Sequence, residues 1–436
     1  MLASLYVSWK GRGVRVLIAT YSEKTHFLGM VPMAWALSTA GHEVRVATQP
    51  ESAAFFAGTG LTTVSVGRDH SLYRRHQLAR LLGQEEADGF LDIGDRWPPE
   101  HTWEQLRWGF REVVSWWWKV INEPMIGELT DFCRWWRPDL VIWEPGTFAA
   151  AIAADACGAV HGRLLWSLDI FAQMRHRYLT LMRVQPPDER EDVLMQWLGA
   201  RAAAHGGTFR EEMVTGHFTI DHLPPSLRLG PPLDQRCLSL RYIPYNGRAV
   251  LPGWLREPPA RPRVCLSLGT SATERLGGYA VPVAELLEAL EDLDVEVTAT
   301  IPEPEQAKLG RVPGNARLVG FVPLHALAAT STAMINHGGP GTVCTGLAYG
   351  VPQLVLPVDH LDAPLLAKAL AGQGAGLSIP SGQVTPSAVR DALARLLAES
   401  SFEENAMRLR EEMLAMRTPN ELAVDLEELV AGQRGR

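Results

Sequence analysis

The stretch MINHGGPGTVCTGLAYGVPQLVLPVDHLDA, residues 334–363, predicts a strand, a glycine-rich turn, a helix and a second strand. Glycines let the backbone of such a turn come close to a bulky anion. The helix that follows would present unpaired N–H groups and the positive end of its dipole to that anion. His337 and Thr342 add an imidazole and a hydroxyl as donors. The simplest ligand for this turn is a diphosphate.

A polar pair, Asp359 and His360, follows the second strand of this stretch. Both strands end at the same edge of a parallel sheet, where open α/β sheets bind their ligands. The pair is therefore expected to bind hydroxyls on the group that the diphosphate carries. The alternative is a glycine-rich turn that serves packing alone.

The motifs HGGPGT, GVPQLVLP and DH, followed by GAG at residues 374–376, resemble the nucleotide-sugar signature of family 1 glycosyltransferases with the GT-B fold. Over nearly its whole length the chain is similar to the bacterial branch that attaches deoxysugars to macrolides and anthracyclines. The resemblance implies an α/β protein with two Rossmann-like domains, each a doubly wound parallel sheet, facing across a cleft. The candidate donor-binding residues are then Ser267, Gly269, Thr270, Ser271, Phe321, Val322, His337, Gly338, Gly339, Gly341, Thr342, Asp359 and His360.

The composition of the 436-residue chain is that of an ordinary globular protein, with 46% hydrophobic and 21% charged residues. A formal net charge of −8 argues against a surface for nucleic acid or anionic membrane. The five cysteines have no CxxC spacing, which indicates a reduced, cytoplasmic protein without a cysteine-bound metal. No apolar run is long enough to span a membrane.

A chain of this length is expected to form two or three domains. Residues 1–13 are basic and lack the features of a signal peptide, so we expect a disordered leader. Residues 14–245 are predicted to form the acceptor-binding N-terminal domain, and the proline-rich residues 246–262 a linker. Residues 263–415 would form the C-terminal nucleotide-sugar-binding domain. The resemblance implies that residues 416–436 form a helix crossing back to the first domain.

The first half opens with the pattern of a β-α-β unit. Val14–Thr20 is a short apolar run typical of a buried parallel strand, and Glu43–Thr48 repeats it. Between them a helix is predicted from about Met30 to Ala40. No GxGxxG motif follows the first strand, so we predict neither a dinucleotide nor another cofactor.

His26 is predicted to lie in the loop after the first strand, where an imidazole can take a proton from a hydroxyl. Taken alone, a histidine in a loop is more often an exposed side chain without a catalytic role. Enzymes that the chain resembles carry their catalytic base in this loop, and the resemblance assigns that role to His26.

Glu144 lies near the carboxyl end of the segment Pro138–Pro145, which is predicted to be a buried strand. Its carboxylate could bond to the imidazole of His26, fix its tautomer and stabilise the imidazolium. The alternative is a solvated acid at a strand end. Similar enzymes usually have Asp at this position, so Glu144 is a departure from the family pattern.

Tryptophans are concentrated in residues 68–136. The predicted helical stretch Arg107–Asn122 contains three consecutive tryptophans and must be aromatic on more than one face. Three interpretations stay open: a packed core helix, a contact surface for a protein partner, or an aromatic wall for a flat polycyclic or macrocyclic acceptor. In the last of these, the candidate acceptor-binding residues are Trp97, Trp108 and Trp117.

The second half restarts the α/β pattern with a predicted strand at Val264–Leu268, and the segment SLGTSA offers N–H and hydroxyl donors to a phosphate. Asp292-Leu293-Asp294 is a DxD sequence at the entrance of its strand, which is the wrong edge for a ligand. We therefore predict a solvated turn there and no metal site. Similar enzymes sandwich the nucleobase with an aromatic residue at the position of Phe321.

These observations together with the resemblance predict an inverting, metal-independent glycosyl transfer. The resemblance implies that a deoxysugar is moved from a dTDP-sugar to a hydroxyl of a polyketide-type aglycone. His26 would act as the base, Glu144 as its partner, and His337 would stabilise the departing diphosphate. Family members that use glucose commonly carry Asp-Gln where this chain has Asp359-His360, which favours a deoxysugar.

Two rival functions come from other classes: a GT-B-fold sugar-nucleotide epimerase, and a non-catalytic partner subunit of a glycosyltransferase pair. Several members of the resembled family need a helper protein similar to an inactive cytochrome P450, and the tryptophan-rich segment is compatible with such a partner. A homodimer is also compatible with the sequence, whereas no nucleic-acid or membrane partner is predicted.

Overall fold

The computed structural model describes residues 13–81, 101–230, 233–269, 273, 278–279, 281–358 and 361–434. Several predictions concern residues outside these ranges. They are the predictions for the leader through residue 12 and for Trp97, Thr270, Ser271, Asp359 and His360.

In the described part of the first half, seven parallel strands form one sheet in the order β3-β2-β1-β4-β5-β6-β7. Its strands are β1 (Arg15–Ala19), β2 (Glu43–Thr48), β3 (Thr63–Ser65), β4 (Leu140–Trp143), β5 (Val160–Leu164), β6 (Phe218–Asp221) and β7 (Cys237–Ser239). Its helices are α1 (Lys24–Thr39), α2 (Pro50–Ala57), α3 (Leu72–Leu81), α4 (Trp103–Val113), α5 (Lys119–Asn122), α6 (Ile126–Trp136), α7 (Phe148–Cys157), α8 (Ile170–Arg183), α9 (Val193–Ala204) and α10 (Glu212–Thr215).

In the described part of the second half, six parallel strands form a second sheet in the order β10-β9-β8-β11-β12-β13. Its strands are β8 (Arg263–Ser267), β9 (Glu296–Thr300), β10 (Ala316–Val319), β11 (Ala333–Asn336), β12 (Gln353–Val355) and β13 (Gly376–Ser378). Its helices are α11 (Val283–Ala289), α12 (Glu303–Gln306), α13 (Leu324–Ala328), α14 (Pro340–Ala348), α15 (Ala363–Gly372), α16 (Pro386–Ala398), α17 (Ser400–Leu414) and α18 (Pro419–Arg434).

Both sheets are doubly wound, and the predicted fold class is confirmed. The central strands β4 and β8 are buried along their whole length, as expected for parallel strands covered by helices on both faces. The first sheet ends at Ser239 and the second begins at Arg263, so the proposed linker lies between them. Apolar side chains of α14 and α15 share one core cluster with aromatic residues of the first half, so the two halves pack against each other.

The structure corrects the predicted position of His26. Helix α1 begins at Lys24, six residues before the predicted start at Met30, and His26 lies in its first turn instead of in a loop. The cause is Glu23, whose carboxylate caps the helix by accepting a hydrogen bond from the N–H of Thr25 at 3.2 Å. An acidic N-cap followed by Lys-Thr-His gave too little apolar periodicity to mark the start of a helix.

The tryptophan-rich stretch is helical but not one regular helix. Helix α4 starts with a capping box formed by Thr102 and Gln105, and Val114–Trp118 then forms a π-helical turn before α5. The three consecutive tryptophans occupy this turn and face different surroundings, since Trp116 is 59% exposed and Trp118 only 2%. Such π-helical turns are rare and occur frequently at functional sites.

Among the described residues, no helix has both the length and the apolar character that crossing a membrane requires.

The last helix, α18, covers the first half of the chain. It packs against α1, and its buried side chains join the core cluster of the first sheet. The residues of α18 in that cluster are Leu422, Ala423, Leu426, Leu429 and Val430.

We expect Leu426→Ala to lower the free energy of unfolding by about 2–5 kcal/mol, because Leu426 is fully buried against the first half and its truncation leaves a cavity. The matched control is Val424→Ala on the same helix, where the side chain is 53% exposed and the change should stay within about 0.5 kcal/mol. Urea unfolding followed by circular dichroism measures both. Equal effects of the two substitutions would show that α18 does not stabilise the first half.

Candidate active site

Polar turns of both halves lie where the strand order reverses. In the first sheet β1 lies between β2 and β4, and in the second β8 lies between β9 and β11. A doubly wound sheet opens a crevice at such a point, beyond the carboxyl ends of its strands. His26 and Glu144 follow β1 and β4, whereas Gly269 and His337 follow β8 and β11. The predicted catalytic residues therefore lie at the edges where ligands of such sheets bind.

The His26 imidazole and the Glu144 carboxylate form a hydrogen-bonded pair. Nδ1 of His26 lies 3.1 Å from Oε1 of Glu144, whose side chain is only 2% exposed. The other carboxylate oxygen accepts from the N–H of Gly146 at 3.0 Å and from the hydroxyl of Thr147 at 2.8 Å. An ionised carboxylate can only accept, so Nδ1 carries the proton and Nε2 is the basic nitrogen. The longer side chain of Glu therefore still reaches the imidazole, and Glu144 is not a solvated acid.

An aromatic series begins at His26. The indole of Trp166 stacks on the imidazole with a centroid distance of 4.6 Å and an interplanar angle of 10°. Trp166 in turn contacts Phe171 edge-on at 6.4 Å, and Phe171 contacts Trp117 at 5.7 Å. The structure thus connects one predicted acceptor-binding residue, Trp117, to the catalytic pair.

Trp108 has a different environment. It lies on α4 and is 43% exposed, whereas Leu106 and Phe110 of the same helix are buried. It therefore belongs to the outward face of α4, and the described ring contacts do not link it to His26.

The glycine-rich turn after β11 is fixed by a buried chain of amide hydrogen bonds. The N–H of Gly338, at a φ of +82°, donates to the Asn336 side chain at 2.9 Å. The Asn336 amide donates to Oε1 of Gln353 at 2.9 Å, and the Gln353 amide donates to the carbonyl of Val343 in α14 at 2.9 Å. Asn336 and Gln353 thus hold the turn and the helix after it in one geometry.

The imidazole of His337 lies between two glycines. An added Cβ would lie 2.5 Å from its Cε1 at Gly269 and 2.5 Å from its Nε2 at Gly339. Among the described residues, the buried Nδ1 has no hydrogen-bond partner of normal geometry. Burial lowers the pKa of His337, so the ring is neutral near pH 7. A buried polar atom without a partner at this edge suits a ligand that supplies one.

Helix α14 starts at the same turn. Its N-cap is Gly339, which has no side chain and so cannot cap the helix through one, and Pro340 occupies the first turn. The hydroxyl of Thr342, also in this first turn, is partly exposed. The phenolic O–H of Tyr242, from the first half, donates to the carbonyl of Gly341 at 3.2 Å. A helix start of this kind is a ready anion site.

Two further predicted donor-binding positions differ in exposure. Ser267 is buried, and its hydroxyl accepts a hydrogen bond from Thr300 at 3.0 Å. Phe321 lies in the turn after β10 and is 59% exposed, whereas Val322 beside it is buried in a small apolar cluster. The Phe321 ring therefore presents a face to solvent, as stacking on a nucleobase requires.

The catalytic edges of the two halves meet at Asp362. Its carboxylate accepts a hydrogen bond from Ser167 of the first half, and the charge of His26 acts on it. The next residue, Ala363, borders Gly338, where an added Cβ would lie 3.3 Å from the Ala363 Cβ. The turn of His337 and the loop that carries Trp166 against His26 therefore meet at Asp362 and Ala363. Burial raises the pKa of Asp362 to about 6, although the Ser167 hydroxyl acts in the opposite direction.

Sequence reasoning missed Trp166, Ser167 and Asp362. A signal was available for the first two, because they come just after the carboxyl end of β5, as His26 and Glu144 come after β1 and β4. The interaction of Asp362 with Ser167 had no such signal, since 195 positions separate the two residues.

The described residues contain no group of three or more His, Cys, Asp and Glu side chains that could hold a metal ion. The DxD sequence lies in the turn before β9, where Asp294 is 87% exposed and pairs with Arg261 at 3.2 Å.

Comparison with known proteins identifies the family. Residues 35–269 match the model of the erythromycin biosynthesis protein CIII-like N-terminal domain, and residues 284–429 match that of the C-terminal domain. The chain is 43% identical over 424 residues to 10-deoxymethynolide desosaminyltransferase of Streptomyces venezuelae, covering 97% of this chain and 98% of the relative. It is 42% identical over 432 residues to aclacinomycin-T 2-deoxy-L-fucose transferase of Streptomyces galilaeus, covering 97% of each.

A solved structure gives the same result. Glycosyltransferase VinC, crystallised in complex with dTDP, superposes with a TM-score of 0.84 at 38% identity, covering 96% of this chain and 99% of VinC. The similarity extends through both sheets and the cleft between them. The chain therefore belongs to the erythromycin biosynthesis protein CIII-like family and is a GT-B glycosyltransferase, as its sequence predicts.

Proposed function

We propose that the protein transfers a deoxysugar from a dTDP-sugar to a hydroxyl of a macrolide- or anthracycline-type aglycone, with inversion at the anomeric carbon and without a metal ion. The observation that supports the proposal is the series of contacts at Asp362 and Ala363 that brings the His26–Glu144 pair of one half towards the His337 turn of the other. The names of the two relatives support a deoxysugar and a polyketide acceptor, and the dTDP bound to VinC supports the nucleotide.

In the proposed reaction, Nε2 of His26 takes the proton of the acceptor hydroxyl while its oxygen attacks the anomeric carbon. The bond from that carbon to the β-phosphate oxygen breaks, and dTDP leaves from the opposite face, so a single displacement inverts the centre. Glu144 stabilises the imidazolium that forms. Negative charge grows on the leaving diphosphate, where His337, the Thr342 hydroxyl and the start of α14 compensate it.

The donor would be held along the carboxyl edge of the second sheet. We assign the nucleobase to Phe321 and the backbone at Val322, and the phosphates to Ser267 and to the glycine-rich turns. The residues assigned to the phosphates are Gly269, Thr270 and Ser271 in the first of these segments and Gly338, Gly339 and Gly341 in the second. Asp359 and His360 are assigned to the hydroxyls of the sugar.

The acceptor would lie against the aromatic series that begins at His26. Trp117 is the acceptor-binding candidate with a structural link to the base, through Phe171 and Trp166. Trp97 and Trp108 stay predictions, as do a P450-like helper protein and a homodimer. All five cysteines are among the described residues and are free, which fits the proposed cytoplasmic location.

His26→Ala should lower kcat by about 10²–10⁴, because the acceptor hydroxyl loses its proton acceptor. His337→Ala should cost about 10²–10³ in kcat, as expected for losing one donor to a developing anion. Transfer from a dTDP-deoxysugar to a macrolactone acceptor, followed by chromatography, measures both. Full activity of His26→Ala would rule out the base assignment.

Glu144→Gln should also lower kcat by about 10²–10⁴ while the protein stays folded. Gly146 and Thr147 both donate to Oε2, so the amide oxygen of Gln takes that place and its NH₂ group faces His26. Nδ1 must then accept, the proton moves to Nε2, and the ring is no longer a base. The pH–rate profile and the melting temperature check this. Unchanged kcat would show that Glu144 does not set the tautomer of His26.

Gly339→Ala should weaken dTDP binding at least about tenfold, because the new methyl group would lie 2.5 Å from Nε2 of His337 and displace the ring. Gly372→Ala, at the end of α15, is the matched control, since an added Cβ there meets nothing within 4 Å. Isothermal titration calorimetry with dTDP measures both. Equal affinities for the two variants would mean that His337 does not contact the diphosphate.

The proposal as a whole is tested by product analysis. Proton NMR of the glycoside should show the anomeric configuration opposite to that of the donor, and EDTA should leave the rate unchanged. Epimerisation of the sugar nucleotide without an acceptor would instead indicate an epimerase. Absence of dTDP release with any acceptor or helper protein would indicate a non-catalytic subunit.

A further inference from the structure

The loop that follows β5, residues 165–169, is held firmly at both ends. Arg163, fully buried in β5, donates two hydrogen bonds to the Asp169 carboxylate, at 3.0 and 2.7 Å. Asp169 also caps helix α8 by accepting from the N–H of Ala172 at 3.2 Å. A bidentate pair of this kind fixes orientation as well as distance. The middle of the loop therefore has a defined position, and it carries Trp166 and Ser167.

Ser167 joins this loop to the second half. Its hydroxyl donates to Oδ2 of Asp362, and both residues are buried, at 2% and 3% exposure. Asp362 is the N-cap of α15, a position where Asp normally bonds to its own helix, yet it makes no such bond. The residue before it, Leu361, has a φ of +54°, which is unfavourable for a leucine. The Asp362 carboxylate thus bonds to the other half instead of capping α15, and the backbone at Leu361 is strained at the same place.

Contacts connect the donor turn to the base through this hydrogen bond. Gly338 of the donor turn borders Ala363, the first residue of α15, and Asp362 precedes it. Asp362 accepts from Ser167, and Trp166, beside Ser167, stacks on the His26 ring at 4.6 Å. A displacement of about 1 Å in a catalytic group can cost 10²-fold in rate, so the position of this loop matters for His26.

We propose that Ser167 and Asp362 are positioning residues: their hydrogen bond couples the donor turn to the loop that holds Trp166 against His26, so that a diphosphate bound at the donor turn steadies the position of the base. This inference rests on the proposed function, because it takes the diphosphate to bind at the turn of His337.

The chain offers a matched control. Ser226, in the first half, donates through its hydroxyl and its N–H to the carboxylate of Glu412 in α17, at 2.6 and 2.8 Å. This second serine–carboxylate pair also joins the two halves, but it is exposed and lies outside the series of contacts from Gly338 to His26. If each serine only helped to hold the two halves together, removing either hydroxyl would have the same effect. The proposed positioning role predicts an effect for Ser167 and none for Ser226.

The test uses the full-length protein and dTDP alone as the probe. Hydrogen–deuterium exchange of peptides covering residues 165–172 is measured with and without saturating dTDP, and calorimetry gives the affinity. We expect dTDP to slow exchange at least about fivefold in the wild type and in Ser226→Ala. Ser167→Ala should bind dTDP within about twofold of the wild-type affinity and show no such slowing. Ser167→Thr keeps the hydroxyl donor and Asp362→Asn keeps an oxygen acceptor, so dTDP should slow exchange in both variants as in the wild type. These two variants are also the ones to measure if Ser167→Ala does not fold.

In the transfer assay, Ser167→Ala should lose about tenfold in kcat with the donor KM within about twofold, and Ser226→Ala should lose neither. The double variant Ser167→Ala/Asp362→Ala should be no slower than Asp362→Ala alone, because Ser167 acts through the Asp362 carboxylate, which also accepts a hydrogen bond from the backbone of Leu168. The inference is overturned if dTDP slows exchange in Ser167→Ala as much as in the wild type. It is also overturned if dTDP no longer slows exchange in Ser226→Ala. Absence of dTDP binding to the wild type is a different result, which overturns the proposed function itself.

Discussion

The reversal of strand order in each sheet is the constraint on which the site depends. A parallel sheet wound in both directions from one central strand cannot cover the carboxyl ends of the two strands at the reversal, so a crevice remains there. Both halves of this chain place polar turns at that crevice, after β1 and β4 and after β8 and β11. Because contacts at Asp362 and Ala363 join the two edges, polar turns more than 300 positions apart in the chain are brought together.

The two histidines of the crevice have opposite electrostatic surroundings, and the difference matches the charges of the proposed reaction. His26 is hydrogen-bonded through Nδ1 to the buried side chain of Glu144. His337 lies between two glycines, where burial lowers its pKa and favours the neutral ring. A neutral ring still carries one N–H that can donate to a diphosphate, and the start of α14 supplies the positive potential that the uncharged ring lacks. One imidazole therefore suits proton removal and the other suits an anion.

Much of the fold could be predicted, because buried parallel strands are short apolar runs that need no knowledge of their neighbours. The predicted strand Glu43–Thr48 has the bounds of β2, and most other predicted strands differ by one or two residues at their ends. The predicted strand Cys237–Pro244 is five residues too long, because β7 ends at Ser239, and the short strands β3 and β6 were not predicted. Helix starts were harder, since the cap by Glu23 is a local hydrogen bond that leaves no hydrophobic pattern. The π-helical turn at Val114–Trp118 likewise depends on packing, and not on the preferences of its residues.

Within the site, motif residues at strand ends could be predicted, whereas contacts between the halves could not. Trp166 is an aromatic residue like many others until the fold brings it onto His26. The same holds for Ser167, whose partner is in the other half of the chain. Asn336 and Gln353 belong to the conspicuous motif, yet their side chains hold the turn instead of reaching the crevice. A motif thus locates a site without separating the groups that support it from the groups that act.

The contact of α18 with α1 has a consequence for biosynthesis. The core cluster formed by Val16 and Ile18 of β1 with Phe27 of α1 is completed by side chains of α18 that are translated about four hundred residues later. While the ribosome is still adding the second half, that cluster has no final cover, and exposed apolar surface on a nascent chain favours aggregation. The first half therefore reaches its finished core only after residues 419–434 have emerged, and we expect chaperones to bind it until then.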